Sequence, residues 1–285
     1  MGRKVAKSTL LAGVAAAAVA AAAGYMVFEA QWVRCRRLDL SVPGLPLALR
    51  GLSVLHLSDV HAGLFYTNER ALAKVVEWAL PLAPDLVFLT GDILGEPARS
   101  VRSLELITRL RPPLGTFAVT GNHEYGLSKG PLARARHSEA LWAAAGITLL
   151  QDRCTVLRPV PEARLAICGA DYLTGGLSLV EQMRERRSET VPGDVFPMLL
   201  MHEPPSPSDP LANYFALAFA GHTHGGQIRV PGPGGLVPVN GERDTRLSGV
   251  HDWGRGSLVI SAGIGASFLP MRLFTRPEAT LWRLV

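Results

Sequence analysis

Hydrophobic and polar residues along this chain form a pattern that predicts short buried strands separated by amphipathic helices. From residue 52 onwards, short apolar runs end at small or polar residues, and Leu72, Val75, Val76 and Ala79 follow the first run at helical spacing. The order strand, helix, strand, helix, strand favours parallel pairing with right-handed crossovers. The predicted strands are 52–57, 86–90, 116–120, 148–150, 154–157, 165–168, 196–201, 217–220, 258–261 and 280–284.

The same pattern assigns these strands to two sheets. We expect the first three strands to share one sheet, and the segments from 148 onwards, closed by 258–261 and 280–284, to form the second. The predicted helices are 67–80, 100–110, 131–145 and 177–187.

The N-terminus carries a long uncharged run. Leu10 to Phe28 is 19 residues without a charge, and about 20 apolar residues span a bilayer as a helix. Two interpretations remain: an uncleaved signal anchor, or a signal peptide cut near residues 21–23. The anchor is favoured because the apolar run continues to Phe28. We therefore divide the chain into an anchor or signal segment (1–37), a linker (38–51) and one large domain (52–285).

The positive charge of the chain lies almost entirely in this N-terminal segment. The formal net charge is +5, and residues 1–37 alone carry +5, so the remainder has 23 basic and 23 acidic residues. A neutral body argues against a nucleic-acid partner, which normally meets a basic face. Three basic side chains stand on each side of the apolar run, so charge alone gives little guidance on orientation.

Cysteine usage leaves the cellular compartment open. Cys35, Cys154 and Cys168 have no metal-type spacing and are odd in number. Cys154 and Cys168 flank a predicted hairpin and could lie close together, but buried free thiols are the favoured interpretation.

Five polar motifs follow predicted strands, where α/β sheets build their sites. They are Asp59-Val60-His61, Gly91-Asp92, Gly121-Asn122-His123-Glu124, Met201-His202 and Gly221-His222-Thr223-His224. Strand alternation would put Asp59 and His61 on one side of the backbone, and likewise His222 and His224. Oxygen and imidazole donors without thiolate suit divalent Mn, Fe, Zn or Co.

These motifs, in this order, resemble the calcineurin-like metallophosphoesterases, and in particular a bacterial membrane-associated branch with a longer Gly221–Gln227 motif. The resemblance covers about residues 50–285 and implies an α/β fold, a four-layer αββα sandwich. It implies two divalent metal ions, with Asp92 bridging and His123 as the catalytic residue that contacts the phosphate or protonates the leaving oxygen. The implied ligands are Asp59, His61 and His224 for one metal and Asn122, His202 and His222 for the other.

The resemblance also implies a reaction: hydrolysis of a phosphoester by a metal-bridging hydroxide. Protein phosphatases of this family read G-D-x-x-D-R-G, whereas here Gly91-Asp92 is followed by Ile93-Leu94-Gly95-Glu96. This difference favours a phosphodiesterase acting on membrane, envelope or lipid-linked phosphoesters. The alternatives are a broad phosphomonoesterase and a non-catalytic metal-stabilised module.

Three further expectations concern the surroundings of the site. Gln227 and Arg272 are candidate substrate contacts, and Glu124 either orients His123 or packs locally. We expect a single-pass N-terminal membrane anchor with an extracytoplasmic catalytic domain.

Overall fold

The computed structural model describes residues 2–127, 139–188, 195–232, 234–239 and 245–285. Its helices are α1 (Gly2–Glu29), α2 (Tyr66–Ala79), α3 (Pro97–Thr108), α4 (Glu139–Ala144) and α5 (Leu177–Ser188). Its strands are β1 (Arg34–Leu40), β2 (Ser53–Leu57), β3 (Leu86–Thr90), β4 (Thr116–Val119), β5 (Thr148–Leu149), β6 (Arg153–Val160), β7 (Ala163–Gly169), β8 (Val195–Leu200), β9 (Leu217–Ala220), β10 (Arg229–Gly232), β11 (Gly235–Pro238), β12 (Gly249–Trp253), β13 (Gly256–Ile260) and β14 (Glu278–Leu284). Most of the helix predicted at 131–145 lies outside the described residues.

Two six-stranded sheets form the centre of the fold. The first has the order β1-β14-β2-β3-β4-β5 and the second the order β12-β13-β9-β8-β7-β6, while β10 and β11 form a separate hairpin. β2, β3, β4 and β5 are parallel, as are β7, β8, β9 and β13. The carboxyl ends of the parallel strands therefore share one edge in each sheet.

Three buried apolar clusters lie between four layers, which confirms the αββα sandwich. The first cluster joins α2, α3 and α4 to the outer face of the first sheet. The second fills the space between the two sheets, and the third packs α5 against the outer face of the second sheet. Strand alternation produces this arrangement: in β3, Leu86 and Phe88 enter the second cluster and Val87 and Leu89 the first.

The last strand, β14, and the short strand β5 belong to the first sheet, so their predicted places in the second sheet were wrong. β14 lies between β1 and β2, parallel to β1 and antiparallel to β2. Both of its faces are apolar: Ala279 and Leu281 meet the helices, while Trp282 and Leu284 enter the space between the sheets. A strand with two apolar faces is stabilised by an interior position, and the first sheet provides one.

The segment assigned to the anchor flank and linker contributes to the sheet. Residues 34–40 form the edge strand β1, and Arg36 makes an ion pair with Glu278. Leu40, Val42 and Leu45 are buried between the sheets. The charged residues Arg34, Arg36, Arg37 and Asp39 suit an edge strand, which needs charge on its exposed side. The sheet thus extends N-terminal to residue 52.

The cysteine prediction was also wrong. Cys154 in β6 lies directly opposite Cys168 in the antiparallel β7, and the two form a disulfide, whereas Cys35 is free. Facing positions on antiparallel strands bring the two β-carbons close enough for this bond.

Within the described residues, α1 contains a segment long and apolar enough to cross a membrane. This segment, Leu10–Glu29, has a mean hydropathy of 2.0 and, apart from Glu29 at its end, is not buried by the rest of the chain.

Candidate metal centre

All five polar motifs meet at the facing edges of the two sheets. Asp59, Asp92 and Asn122 follow β2, β3 and β4, while His202 and His222 follow β8 and β9. Apart from the half-exposed His222, the predicted metal ligands are buried. Sheet topology thus brings together side chains that are up to 165 residues apart in the sequence.

The backbone at this edge is left-handed rather than extended. Asp59, His61, Asp92, His222 and His224 have φ between 48° and 69°. Non-glycine residues rarely adopt this conformation, and such strain concentrates at functional sites. The predicted side-chain convergence is correct, but strand alternation is the wrong reason for it, because these residues lie beyond the strands in tight turns.

One half of the site is formed by Asp59, His61 and His224. The Nε2 atoms of the two histidines are 3.0 Å apart, and Asp59 Oδ1 lies 3.4 Å from His224 Nε2. Their ligand atoms all lie within 4.8 Å of one another. Three buried donors that aim at one point form a suitable set for a cation.

The other half contains His202, His222 and Asn122. His202 Nε2 is 3.0 Å from His222 Nδ1 and 3.2 Å from Asn122 Oδ1. The second nitrogen of His202, Nδ1, lies 2.8 Å from the Thr90 carbonyl oxygen. When Nδ1–H donates to that carbonyl, the neutral ring presents the Nε2 lone pair to the site, as metal-ligating histidines do.

Asp92 lies between the two halves. Its Oδ2 atom is 3.7 Å from His61 Nε2 in the first half and 3.5 Å from His202 Nε2 in the second. Its other oxygen, Oδ1, accepts a hydrogen bond from the His123 amide. One carboxylate oxygen is therefore shared by both donor sets.

His123 lies at the border of the first half. Its ring stacks edge-on against His61, with centroids 4.3 Å apart, and its Nε2 atom is 4.0 Å from Asp92 Oδ2. The same residues, His61, Asp92 and His123, also form a group with ligand-like spacing. The ring is close enough to reach a molecule bound at the site.

The ionisable groups of the site shift one another's pKa values strongly. Burial lowers the pKa of His61 and His224 well below the usual value for histidine. Burial also lowers the pKa of His202, but the Asp92 carboxylate outweighs this and raises it to about 10. Asp92 itself resists ionisation through burial, yet the surrounding histidines lower its pKa well below the usual range. The two buried carboxylates thus create a strong demand for positive charge.

The donor set fits divalent cations. Imidazole nitrogens face one another at 3.0 Å in both halves, an arrangement that lone pairs accept only around a proton or a metal ion. The Nδ1 atoms of His61 and His123 are buried and have no hydrogen-bond partner among the described residues. Nitrogen and oxygen donors without thiolate match Mn, Fe, Zn or Co.

Glu124 holds two of the turns together. Its carboxylate accepts hydrogen bonds from the backbone amides of Asp92, Ile93, Leu94 and Gly121 at 2.7 to 2.9 Å. Of the two expected roles, local hydrogen bonding therefore describes this side chain. By connecting the turns after β3 and β4, it fixes Asp92 relative to Asn122 and His123.

Gly221 shows why glycine is required beside the ligands. A Cβ atom there would lie 2.5 Å from Asp59 Oδ2 and closer still to Ser58 Oγ. Only a residue without a side chain lets the turn after β9 approach the turn after β2 this closely.

The two candidate substrate contacts differ in position. Gln227 is half-buried and lines a groove beside His222 and His224. Arg272 is fully buried, and its guanidinium donates to backbone carbonyls of His224, Ala262 and Gly265. Because these carbonyls occupy its donors, the prediction that Arg272 contacts substrate was wrong. No sequence pattern distinguished a buried arginine from a surface one.

Comparison with known proteins agrees with this geometry. The family model for calcineurin-like phosphoesterases matches residues 52–226, more than half of the chain. An uncharacterized metallophosphoesterase of Bacillus subtilis, YkuE, is 26% identical over 100% of this chain and 98% of its own length. The phosphodiesterase YaeI of Escherichia coli is 29% identical over 81% of this chain and 82% of its own length. The UDP-2,3-diacylglucosamine pyrophosphatase LpxG of Chlamydia muridarum is 23% identical over 90% of each chain.

Proposed function

Because this chain belongs to the calcineurin-like phosphoesterase family, it is a metal-dependent phosphoester hydrolase, and we propose that it is a membrane-anchored phosphodiesterase with two divalent metal ions. Its substrates are membrane or envelope phosphoesters, including lipid-linked ones. The observation that carries this proposal is the position of Asp92, whose single Oδ2 atom faces histidines of both donor sets.

We assign the ligands as the sequence motifs suggest. Asp59, His61 and His224 would hold one ion, Asn122, His202 and His222 the other, and Asp92 both. When bound, two such ions neutralise phosphoryl charge and lower the pKa of water towards 7, which supplies a nucleophile at neutral pH. Glu124 fixes the turn that carries Asp92, and the Thr90 carbonyl orients His202.

His123 is our candidate for contact with the phosphoryl group or the leaving oxygen. Burial lowers the pKa of its ring, and the Asp92 carboxylate opposes that shift. Once protonated, a ring with a lowered pKa is a stronger acid, which suits donation to a leaving oxygen.

The anchor and the disulfide support an extracytoplasmic position. Leu10–Glu29 has the length and composition of a membrane span. The disulfide between Cys154 and Cys168 favours an oxidising compartment, since cytosolic thiols are kept reduced. Similarity to the phosphodiesterase YaeI and to LpxG, a pyrophosphatase of a diacylated sugar nucleotide, supports diesters and lipid-linked diphosphates as substrate classes.

Activity against a substrate panel tests this proposal. We expect the metal-loaded full chain to hydrolyse an aryl phosphodiester or a nucleotide-diphosphate lipid faster than an aryl phosphomonoester. Asp92→Asn, which removes the shared charge, should lose nearly all activity, whereas Asp39→Asn at an exposed surface pair should not.

Two outcomes would favour the alternatives. A clear monoester preference would replace the diesterase with a broad phosphomonoesterase. Metal content with no hydrolysis of any member of the panel would favour a non-catalytic metal-stabilised module.

A further inference from the structure

An apolar groove begins at the metal centre and runs away from it. Its volume is about 380 Å³, and His222 and His224 form part of its wall. The remaining wall includes Ile228, Val239 and Leu269. A groove with ligand-type histidines at one end and aliphatic side chains beyond them combines two chemistries: charge for a phosphoryl group and apolar surface for an attached chain.

The outer rim of this groove exposes large apolar side chains. Phe268 is 59% exposed and Leu269 41%, and Phe274 in the same loop is 50% exposed. Clustered exposed aromatic and aliphatic residues beside a functional site indicate an apolar ligand or surface.

Gln227 fixes this rim relative to the metal centre. Its side chain donates to the Leu269 carbonyl at 3.2 Å and accepts from the Ser267 amide at 3.3 Å. The backbone amide of Gln227 donates a hydrogen bond to the His224 carbonyl. The rim loop is thus connected through one residue to a candidate metal ligand.

The same loop is attached to the end of α1. The Arg272 amide donates to the Met26 carbonyl at 3.0 Å, and the Thr275 amide donates to the Glu29 carboxylate at 2.7 Å. Glu29 is 1% exposed. The helix is therefore joined directly to the catalytic domain.

With α1 as the proposed membrane anchor, these contacts bring the groove to the membrane surface. Met26 lies in the last turn of the apolar segment Leu10–Glu29, whose 20 residues correspond to about 30 Å of helix, the thickness of the hydrocarbon layer. Tyr25, Phe28 and Trp32 are exposed at the same level, and aromatic side chains favour the interface between lipid and water. A loop bonded to Met26 thus lies where lipid chains begin.

We propose that this groove binds one acyl or alkyl chain of a lipid phosphoester while its phosphoryl group lies at the metal centre. The inference rests on the proposed function and specifies its substrate class. Ile228, Val239, Phe268 and Leu269 are then specificity residues for the chain. The fixed contact with α1 presents the groove to a lipid that is still partly in the bilayer.

Alkyl 4-nitrophenyl phosphates of increasing chain length test the proposal, because the cleaved bond stays the same. The full chain is assayed in the same detergent throughout. Each ester is kept below the concentration at which it aggregates. From methyl to octyl we expect kcat/KM to rise about 10-fold or more, since each buried methylene contributes about fourfold and two of the roughly seven added methylenes are enough. The affinity for alkylphosphonates from methyl to octyl, measured by calorimetry, should rise with chain length in the same way, although these compounds are not hydrolysed.

Three variants separate the chain site from the reaction. Leu269→Ala removes part of the wall and Val239→Trp fills the groove, so both should abolish most of the octyl preference, measured as the ratio of kcat/KM for the octyl ester to that for the methyl ester. Leu47→Ala is the matched control, because Leu47 is 78% exposed before β2, on the opposite edge of the first sheet.

The outcomes distinguish the groove from the proposed function. Hydrolysis without chain-length preference, or with a preference that survives both variants, would overturn the groove assignment alone. Chain-dependent phosphonate binding without hydrolysis of any ester would overturn the phosphodiesterase and keep the groove. Loss of self-association in Leu269→Ala, with no alkyl binding in the wild type, would identify the rim as an interface between copies of this chain and contradict the proposal.

Discussion

At the residue scale, His123 differs from its neighbours because it contacts the proposed metal ligands but is not assigned as a ligand itself. We expect His123→Ala to keep its metal ions and to lose about 10²- to 10⁴-fold in kcat on an aryl diester, the usual contribution of a positioned acid or base. Metal content and kcat should be measured on the same preparation.

Two results would contradict this role. Wild-type turnover in His123→Ala would remove His123 from the reaction. Loss of metal would instead identify it as a ligand, which its position 4.0 Å from Asp92 Oδ2 also allows.

Gly221 offers a test of the turn geometry. Gly221→Ala would force the turn after β9 away from Ser58 and Asp59, so we expect metal affinity to fall by about 10- to 100-fold, as when the support of a ligand is disturbed. The control is Gly24→Ala, because no atom lies within 4 Å of the added carbon there. Equal metal affinity in the two variants, measured by competition with a chelating dye, would show that the turns tolerate separation.

Motif order predicted the residues of this site better than their surroundings. Asp59, Asp92 and His202 could be identified because each follows an apolar run that becomes a buried strand. The left-handed φ of Asp59 and the role of Glu124 depend on contacts between turns that are distant in sequence. Arg272 was misjudged for the same reason: its partners are backbone carbonyls, which no side-chain pattern reveals.

At the scale of elements, the disulfide connects β6 and β7, the last two strands at one side of the second sheet. Replacing Cys154 and Cys168 by serine removes a crosslink between positions 14 residues apart and should lower the free energy of unfolding by about 3 kcal/mol. Denaturant unfolding of the double variant, with Cys35→Ser as the control, measures this difference. Three free thiols in unreduced wild-type protein would refute the crosslink.

The sequence predicted parallel strands and helices well, but it misplaced the elements whose partners are remote. β2, β3 and β4 are close in sequence and joined by short crossovers, so their pairing follows from local order. β14 pairs with β1 across more than 240 residues, and Glu29 at the end of α1 bonds to Thr275. Such pairings form only where the rest of the folded core leaves room for the strand, and local sequence does not reveal that room.

At the scale of the whole molecule, hydrogen bonds attach the catalytic domain to α1. We expect the intact chain, including α1, in the membrane fraction, with the domain outside the cytoplasm. Protease added to intact spheroplasts should digest the domain and leave a fragment that contains Leu10–Glu29. Protection until the membrane is broken would place the domain inside, and a mature chain that lacks α1 would indicate a cleaved signal peptide.

The central claim is that seven side chains, Asp92 and the six around it, bind two divalent ions. Anomalous diffraction from crystals of the metal-loaded protein tests it most directly. We expect two peaks, one among Asp59, His61 and His224 and one among Asn122, His202 and His222, each next to Asp92. A metal-loaded, active enzyme with no peak at these residues, or with a single peak elsewhere, would contradict it.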